Sequence, residues 1–424
     1  MADHAKETTG KDRIHKGHYL TLLAAFLGWM FDGFEMGLFP IVARPALLDM
    51  ASASAIENPE AFVGWWMGII TALFLIGAAL GGWILGWLGD KIGRVRALSL
   101  SILLYSLFTG MGYFAQEPWH LGLFRVIASI GMGGEWSLGV ALVMECWPER
   151  FRPYMAGIIG AAANFGFLSI GIIAFTIPVT PDSWRWMWLV GVAPALLVFF
   201  ITLFVPESTR WKESVGKGGH TTPLREVFAR VRLRTTIIGI ILTSVALIGT
   251  WGSVQWIPVW VDQLVGPSMP HAKAMVGIWS GLGAIVGCIG GSVLWRNAGR
   301  RVSYFTLCLV SLAACSLLYR GGFAYGTTFQ ILVFLAGMTT AAFYGWFPLF
   351  LPELYPTRMR ATGQGVCFNT GRVFAAAGSL MSGQLVAFFD GDYAKTGALI
   401  TLVYVLGMAC VWLAPETRGK PLPE

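Results

Sequence analysis

The sequence predicts an all-α membrane protein of twelve transmembrane helices, built as two six-helix bundles related by an internal repeat. Three observations predict it. Of 424 residues, 55% are hydrophobic and only 12% charged, against about a quarter charged in a soluble domain. The apolar residues gather in long runs, and about 18–25 such residues match the thickness of a bilayer core. Short motifs from the first half of the chain return in the second at a nearly constant offset.

The runs read as helices near 18–41, 63–87, 97–115, 119–146, 154–178, 185–205, 235–260, 274–295, 302–319, 327–350, 361–389 and 396–414. The first follows a polar, basic stretch and is too long for the apolar region of a cleaved signal, so it is read as retained. A short charged loop ending at Gly93-Arg94 parts the second from the third. The fourth carries Arg125 and Glu135 and ends at Glu145-Cys146-Trp147-Pro148, and the sixth ends at Pro206-Glu207-Ser208. Residues 206–234 are polar and basic and read as a cytoplasmic linker, leaving 1–205 and 235–424 as the two bundles. The seventh holds Trp251 and Gln255, the tenth ends at Glu353-Leu354-Tyr355-Pro356, the eleventh carries Arg372, and the twelfth precedes Pro415-Glu416-Thr417.

The repeat fixes the pairing of these elements. Glu145 to Arg152 and Glu353 to Arg360 both read Glu-x-aromatic-Pro-x-Arg-x-Arg, 208 residues apart. Pro206-Glu207-Ser208 is echoed by Pro415-Glu416-Thr417, and Gly93-Arg94 by Gly299-Arg300. Three motifs in one order at nearly one offset imply duplication of a six-helix unit. Two such halves around a central cavity are an architecture of secondary transporters.

Charge placement gives orientation and excludes a partner. Arg44, Arg185, Lys273, Arg320 and Lys395 fall on one face, Arg125 and Arg372 lie within helices, and the other Lys and Arg gather on the face of both termini. By the positive-inside rule that face is cytoplasmic, as expected of a multi-pass protein of the cell (inner or plasma) membrane. The net charge of +7 therefore sits in loops, and no nucleic-acid partner is expected. The six cysteines lie in or at the edge of apolar helices, with no CxxC spacing and no clustered His, and read as packing residues without metal or disulfide. No HExxH, GxSxG or P-loop is present, so neither an enzyme nor an ATP-driven pump is implied.

The loop Gly86-Trp87-Leu88-Gly89-Asp90-Lys91-Ile92-Gly93-Arg94 resembles the signature between helices two and three of the major facilitator superfamily, with Val95 where a second basic residue is usual. Arg125 with Gly131-Met132-Gly133-Gly134, both copies of the Glu-x-aromatic-Pro motif, and the Pro-Glu-Ser and Pro-Glu-Thr segments resemble the branch holding sugar porters and proton-coupled organic-acid transporters. Gly28 to Glu35, Gly133-Gly134-Glu135-Trp136 and Asn369-Thr370-Gly371-Arg372 are similar to sialate and monocarboxylate (lactate-type) symporters. The resemblance implies Asp32 as the proton site with Arg125 as its partner.

A charge at membrane depth costs at least about 2.5–3.5 kcal/mol, so it faces a cavity or a partner. Asp32 and Glu35 stand three apart on one helix face. Glu35 is read as binding substrate, sharing the proton, or facing water at the cavity mouth. Glu135 lies about 80° round the helix from Arg125 and is read as a structural contact or a transport residue. Arg372 is read as the binder of a substrate anion, because a guanidinium is a permanently charged fork matched to a carboxylate; the alternative is a pair with an acid of another helix. Asn369, Asn164 (the repeat mate of Arg372), Trp251, Gln255 and Tyr344 complete the candidate substrate residues, with Trp256 and Trp346 also placed toward the cavity. Trp65, Trp66, Trp119, Trp184 and Trp412 are read as an interfacial belt against lipid. Asp90, Lys91 and Arg94 are read as a gate meeting Glu145. In the second half Arg296 replaces the aspartate, and Arg300 and Arg301 are expected to meet Glu353 and Glu207.

The expectation is a secondary active transporter working by alternating access, taking up a small organic anion such as lactate, pyruvate or a sialate with a proton. One monovalent anion with one proton would be electroneutral. A proton-coupled sugar or polyol symporter, or an anion exchanger or uniporter, is the alternative. The coupling ion is the proton, no cofactor is expected, and the architecture needs only one chain.

Overall fold

The computed structural model describes residues 14–177, 179–216, 223–265, 268–269, 271–294 and 297–424. In the first half α1 spans Lys16–Ala53, α2 Pro59–Ile92, α3 Arg94–Met111, α4 Pro118–Cys146 and α5 Arg152–Thr176, and α6 comprises Arg185–Val190 and Ala195–Phe204. In the second half α7 comprises Arg230–Trp251 and Ile257–Val265, α8 spans Ala272–Val293, α9 Arg300–Arg320, α10 Thr327–Leu354 and α11 Arg360–Phe388, and α12 comprises Tyr393–Ile400 and Val403–Cys410. Two short helices, Thr209–Gly216 and Pro223–Val227, lie between α6 and α7.

Helices follow from the solvent, because a bilayer core offers the backbone no hydrogen-bond partner outside the chain. Among the described residues eleven stretches are long and apolar enough to cross. The twelfth is α11, 29 residues long, which carries Gln364, Asn369, Thr370 and Arg372. Two expected boundaries shift. α1 contains Pro40 and runs on past residue 41 through Pro45, since membrane helices tolerate proline where neighbours satisfy the freed carbonyls. α7 breaks after Trp251 into a 3-10 turn at Val254–Trp256.

The repeat is visible in burial. Over their most apolar stretches α4, α10, α7 and α1 are 83%, 72%, 67% and 56% buried, against 33–50% for the other measured spans. These are the first and fourth helices of each half, and they form the inner ring. The halves meet where α2 packs on α11 and α5 on α8. Near the face carrying the termini both seams are tight: a Cβ on Gly86 would stand 2.8 Å from the Ala361 carbonyl oxygen, and one on Gly157 would stand 2.9 Å from Ile289 Cα. Farther along α5 and α8, a Cβ on Gly171, Gly277 or Gly281 would meet nothing within 4 Å. The helices therefore part toward the opposite face.

Candidate functional site

Where α5 and α8 part, a cavity of about 700 Å³ lies between the halves. Trp29 of α1, Phe167 of α5, Trp251 of α7, Tyr344 of α10 and Phe368 of α11 give it aromatic walls. Asn164, Gln255 and Arg372 also line it, and Arg372 is the one charged group among the described lining residues. Trp251 reaches it from the end of the first segment of α7 and Gln255 from the 3-10 turn that follows. Sequence reasoning passed over Trp29 and Phe368 as lining residues; the signal was present, since Phe368 stands one turn before Arg372 and Trp29 three residues before Asp32.

Arg372 is held from several directions. Its Nη1 donates to Asn369 Oδ1 at 3.3 Å. Its guanidinium carbon lies 5.2 Å from the Phe368 ring centroid and 5.8 Å from that of Trp29. Its Nη2 lies 3.5 Å from Asp32 Oδ2, at the outer limit of a hydrogen bond. Asn369 sits outside the lining, because its Nδ2 donates to the Gly133 and Gly365 carbonyls, both at 3.0 Å. It ties α11 to α4 and orients the guanidinium.

The expected Asp32–Arg125 pair is absent among the described contacts. Arg125 Nη1 instead donates to Glu35 Oε1 in an ion pair, and Thr109 Oγ1 donates to the same oxygen at 2.7 Å. Arg125 is further packed over the rings of Phe74 and Phe39 at 4.4 and 4.9 Å. Glu35 is 1% exposed, so it does not face water at a cavity mouth. Residues three apart on a helix differ by about 60° in direction, enough to send Asp32 toward α11 and Glu35 toward α4. The acid that Arg372 meets comes from the other half of the chain.

Glu135 is 2% exposed, and neither of its carboxyl oxygens has a hydrogen-bond partner among the described residues. It leans over Gly28, where its Oε1 occupies the space a Cβ would need. Asp32, one turn further along α1, likewise keeps Oδ1 buried without a hydrogen-bond partner among the described residues.

The face of the termini is closed by a buried charge network. Glu145 accepts from Arg94 Nη2 at 3.0 Å and from Arg360 Nη1 at 2.8 Å. Arg94 Nη2 also donates to the Thr357 carbonyl at 2.6 Å, and Arg94 Nη1 pairs with Asp90 at 2.8 Å. Asp90 in turn accepts from the Thr362 amide at 2.8 Å and the Ala361 amide at 3.3 Å, so a carboxylate of α2 caps the first turn of α11. Lys91 takes no part; it lies 4.3 Å over the Trp87 ring. In the second half Arg300 meets Glu353 at 2.7 Å, as expected, and Arg296 lies outside the described residues. Glu207 does not partner Arg300 or Arg301: it accepts from the Arg94 and Val95 amides at 3.1 and 3.0 Å. Its repeat mate Glu416 accepts from the Arg300 and Arg301 amides at 2.8 and 3.3 Å.

The tryptophans divide. Trp65, Trp119 and Trp412 are 69%, 51% and 49% exposed, as a lipid-facing belt requires. Trp184 is buried, with Nε1 donating to Asp49 at 2.9 Å. Trp346 is core, stacked 4.5 Å from Phe350, and Trp256 packs on Tyr393; neither lines the cavity.

Residues 21–379 match the profile of the Major Facilitator Superfamily. The chain is 30% identical to a putative metabolite transport protein of Haemophilus influenzae, over 97% of this chain and 99% of that one. It is 28% identical to a probable 4-methylmuconolactone transporter of Cupriavidus pinatubonensis, covering 94% of this chain and 91% of that one. With the cis,cis-muconate transport protein of Acinetobacter baylyi it shares 26% identity over 87% of each chain. Among solved structures, the proton:xylose symporter XylE superposes with a TM-score of 0.78 at 19% identity, covering 96% of this chain and 98% of that one, a likeness of fold. With twelve helices in two repeated halves around a central cavity, the chain belongs to the Major Facilitator Superfamily and is a multi-pass membrane transporter, not an enzyme.

Proposed function

We propose that this transporter takes up a small organic anion together with protons, by alternating access. The observation that carries this is the long Arg372–Asp32 pair. It spans the two halves at 3.5 Å at the edge of a cavity whose lining holds no other charge among the described residues. A carboxylate entering the cavity offers the guanidinium a closer, two-toothed partner. Asp32 then loses its counter-ion while still buried, and a buried carboxylate without a partner is relieved by taking a proton. Anion and proton thus bind together. The aromatic walls favour an acid with a planar or apolar body over a polyhydroxylated one, in line with the muconate-related substrates named for two relatives.

With the termini taken as cytoplasmic, the charge network closes the inner face and the cavity opens outward. Asn164, Gln255, Trp251 and Tyr344 are the neutral side of the substrate site. The chain works alone in this reading.

The test is external pH in lightly buffered, de-energised cells given 4-hydroxybenzoate, lactate, N-acetylneuraminate or xylose. Alkalinisation with a carboxylate, lost in Arg372→Ala and reduced in Asp32→Asn, is expected. A response to xylose alone, unchanged in Arg372→Ala, would overturn the anion reading in favour of a sugar.

A further inference from the structure

The charges at the seam of the two halves do not balance. Asp32 and Glu135, which leans over Gly28 one turn before Asp32 on α1, both feel one cation, Arg372, and its 3.5 Å contact is with Asp32. Of the other buried arginines, Arg125 is taken by Glu35 and Arg94 and Arg360 by Glu145. Glu135 has no donor on either oxygen among the described residues at 2% exposure. The titratable groups acting on it are Asp32 from α1, Arg372 from α11 and the Tyr105 hydroxyl from α3. α2 offers it no charge: Leu85 and Gly82 pack on its neighbours Gly134 and Gly133. One guanidinium neutralises one carboxylate, so the second is kept neutral by a proton in this conformation.

We propose that Glu135 is a second proton carrier of the transport cycle, loaded before the substrate and emptied with it. This rests on the proton–anion reading above. In the conformation seen here Glu135 holds its proton while Asp32 is ionised against Arg372. The substrate anion takes Arg372 and Asp32 gains a proton, so the loaded site holds one anion and two protons. When the other face opens, water reaches Asp32 and Glu135, the anion and both protons leave, and the empty carrier returns with Asp32 and Glu135 sharing Arg372, a costlier charge state that is relieved when Glu135 takes a proton at the first face. Each monovalent anion then enters with two protons and one net positive charge.

The experiment uses the whole protein in proteoliposomes with potassium and valinomycin clamping the potential at zero, and a tenfold proton gradient. The probe is whichever of 4-hydroxybenzoate, lactate and N-acetylneuraminate is taken up fastest. Two protons per anion accumulate it about 100-fold, one proton about tenfold. Wild type is expected near 100-fold, rising further with a negative-inside potential. Glu135→Gln is expected near tenfold and indifferent to the potential, with counterflow exchange of labelled probe retained, as a merely structural role would not produce. Wild type at tenfold, or Glu135→Gln still at 100-fold, overturns the proposal while leaving proton–anion symport intact. Uptake that follows no proton gradient in wild type overturns the underlying reading. Should Glu135→Gln fail to insert, Glu135→Ala takes its place in the same comparison.

Discussion

Under the proposed proton–anion uptake, substrate and proton meet on Arg372 and Asp32, and their replacements should fail differently. Arg372→Lys keeps the charge but loses the planar fork. Uptake is expected to survive with a KM raised about tenfold, equivalent to about 1.4 kcal/mol, which initial rates over a range of substrate concentration would check. Asp32→Asn is expected to keep exchange of labelled substrate across the membrane and, under a tenfold proton gradient, to accumulate it about tenfold less than wild type. At this scale the sequence showed which charges were buried, because a mid-helix ion in an apolar run must have a reason. It did not show which acid meets which arginine. Asp32 and Arg372 are 340 residues apart, and the choice between Asp32 and Glu35 for Arg125 turns on a rotation of about 60° along α1.

Among elements, α1 and α5 cross closely inside the first half. A Cβ on Gly33 would stand 2.7 Å from the Ala163 carbonyl carbon, so Gly33→Ala forces the helices apart. Overpacking of this kind costs about 1–3 kcal/mol, and a lowered Tm of the purified protein is expected. Gly171→Ala, on the open stretch of α5, should leave the Tm within the error of measurement. The N-terminus of α9 supplies a pH prediction. Partial burial works to raise the Glu416 carboxyl, but the amides of Arg300, Arg418 and Arg301 outweigh it and hold the group below the usual glutamate value. Its folded pKa is depressed, so the cap is intact above the ordinary glutamate range and is lost as pH falls through the lowered value. Hydrogen exchange at the Arg300 and Arg301 amides should therefore be faster in Glu416→Gln at pH 7. The twelve apolar runs were readable because bilayer thickness sets their length. The extension of α1 through its prolines and the break in α7 were not, since both depend on neighbours that satisfy the backbone.

For the whole molecule, the decisive contacts are those of Glu145, where two buried guanidiniums from different halves share one carboxylate. Breaking a buried ion pair by removing one partner costs about 3–5 kcal/mol. Glu145→Gln is therefore expected to loosen the face of the termini, and the Ala361 and Thr362 amides that cap onto Asp90 should exchange faster. Glu353→Gln should leave those two amides unchanged, because Arg300 and Glu353 both belong to the second half. The duplication was legible from three motifs at one offset. The different use of its two copies was not, since the sequence does not say that Arg94 reaches Thr357 across the seam while Arg300 stays at home.

That difference has a bearing on how such a machine tolerates change. The repeat carries two copies of one fastening; under the proposed alternating access the first holds a moving joint between the halves, and the second is a rivet within one half. Variation at the rivet would register as shelf life of the protein and leave its rhythm of opening alone. Variation at the joint would do the reverse, altering turnover in a protein that still folds and reaches the membrane.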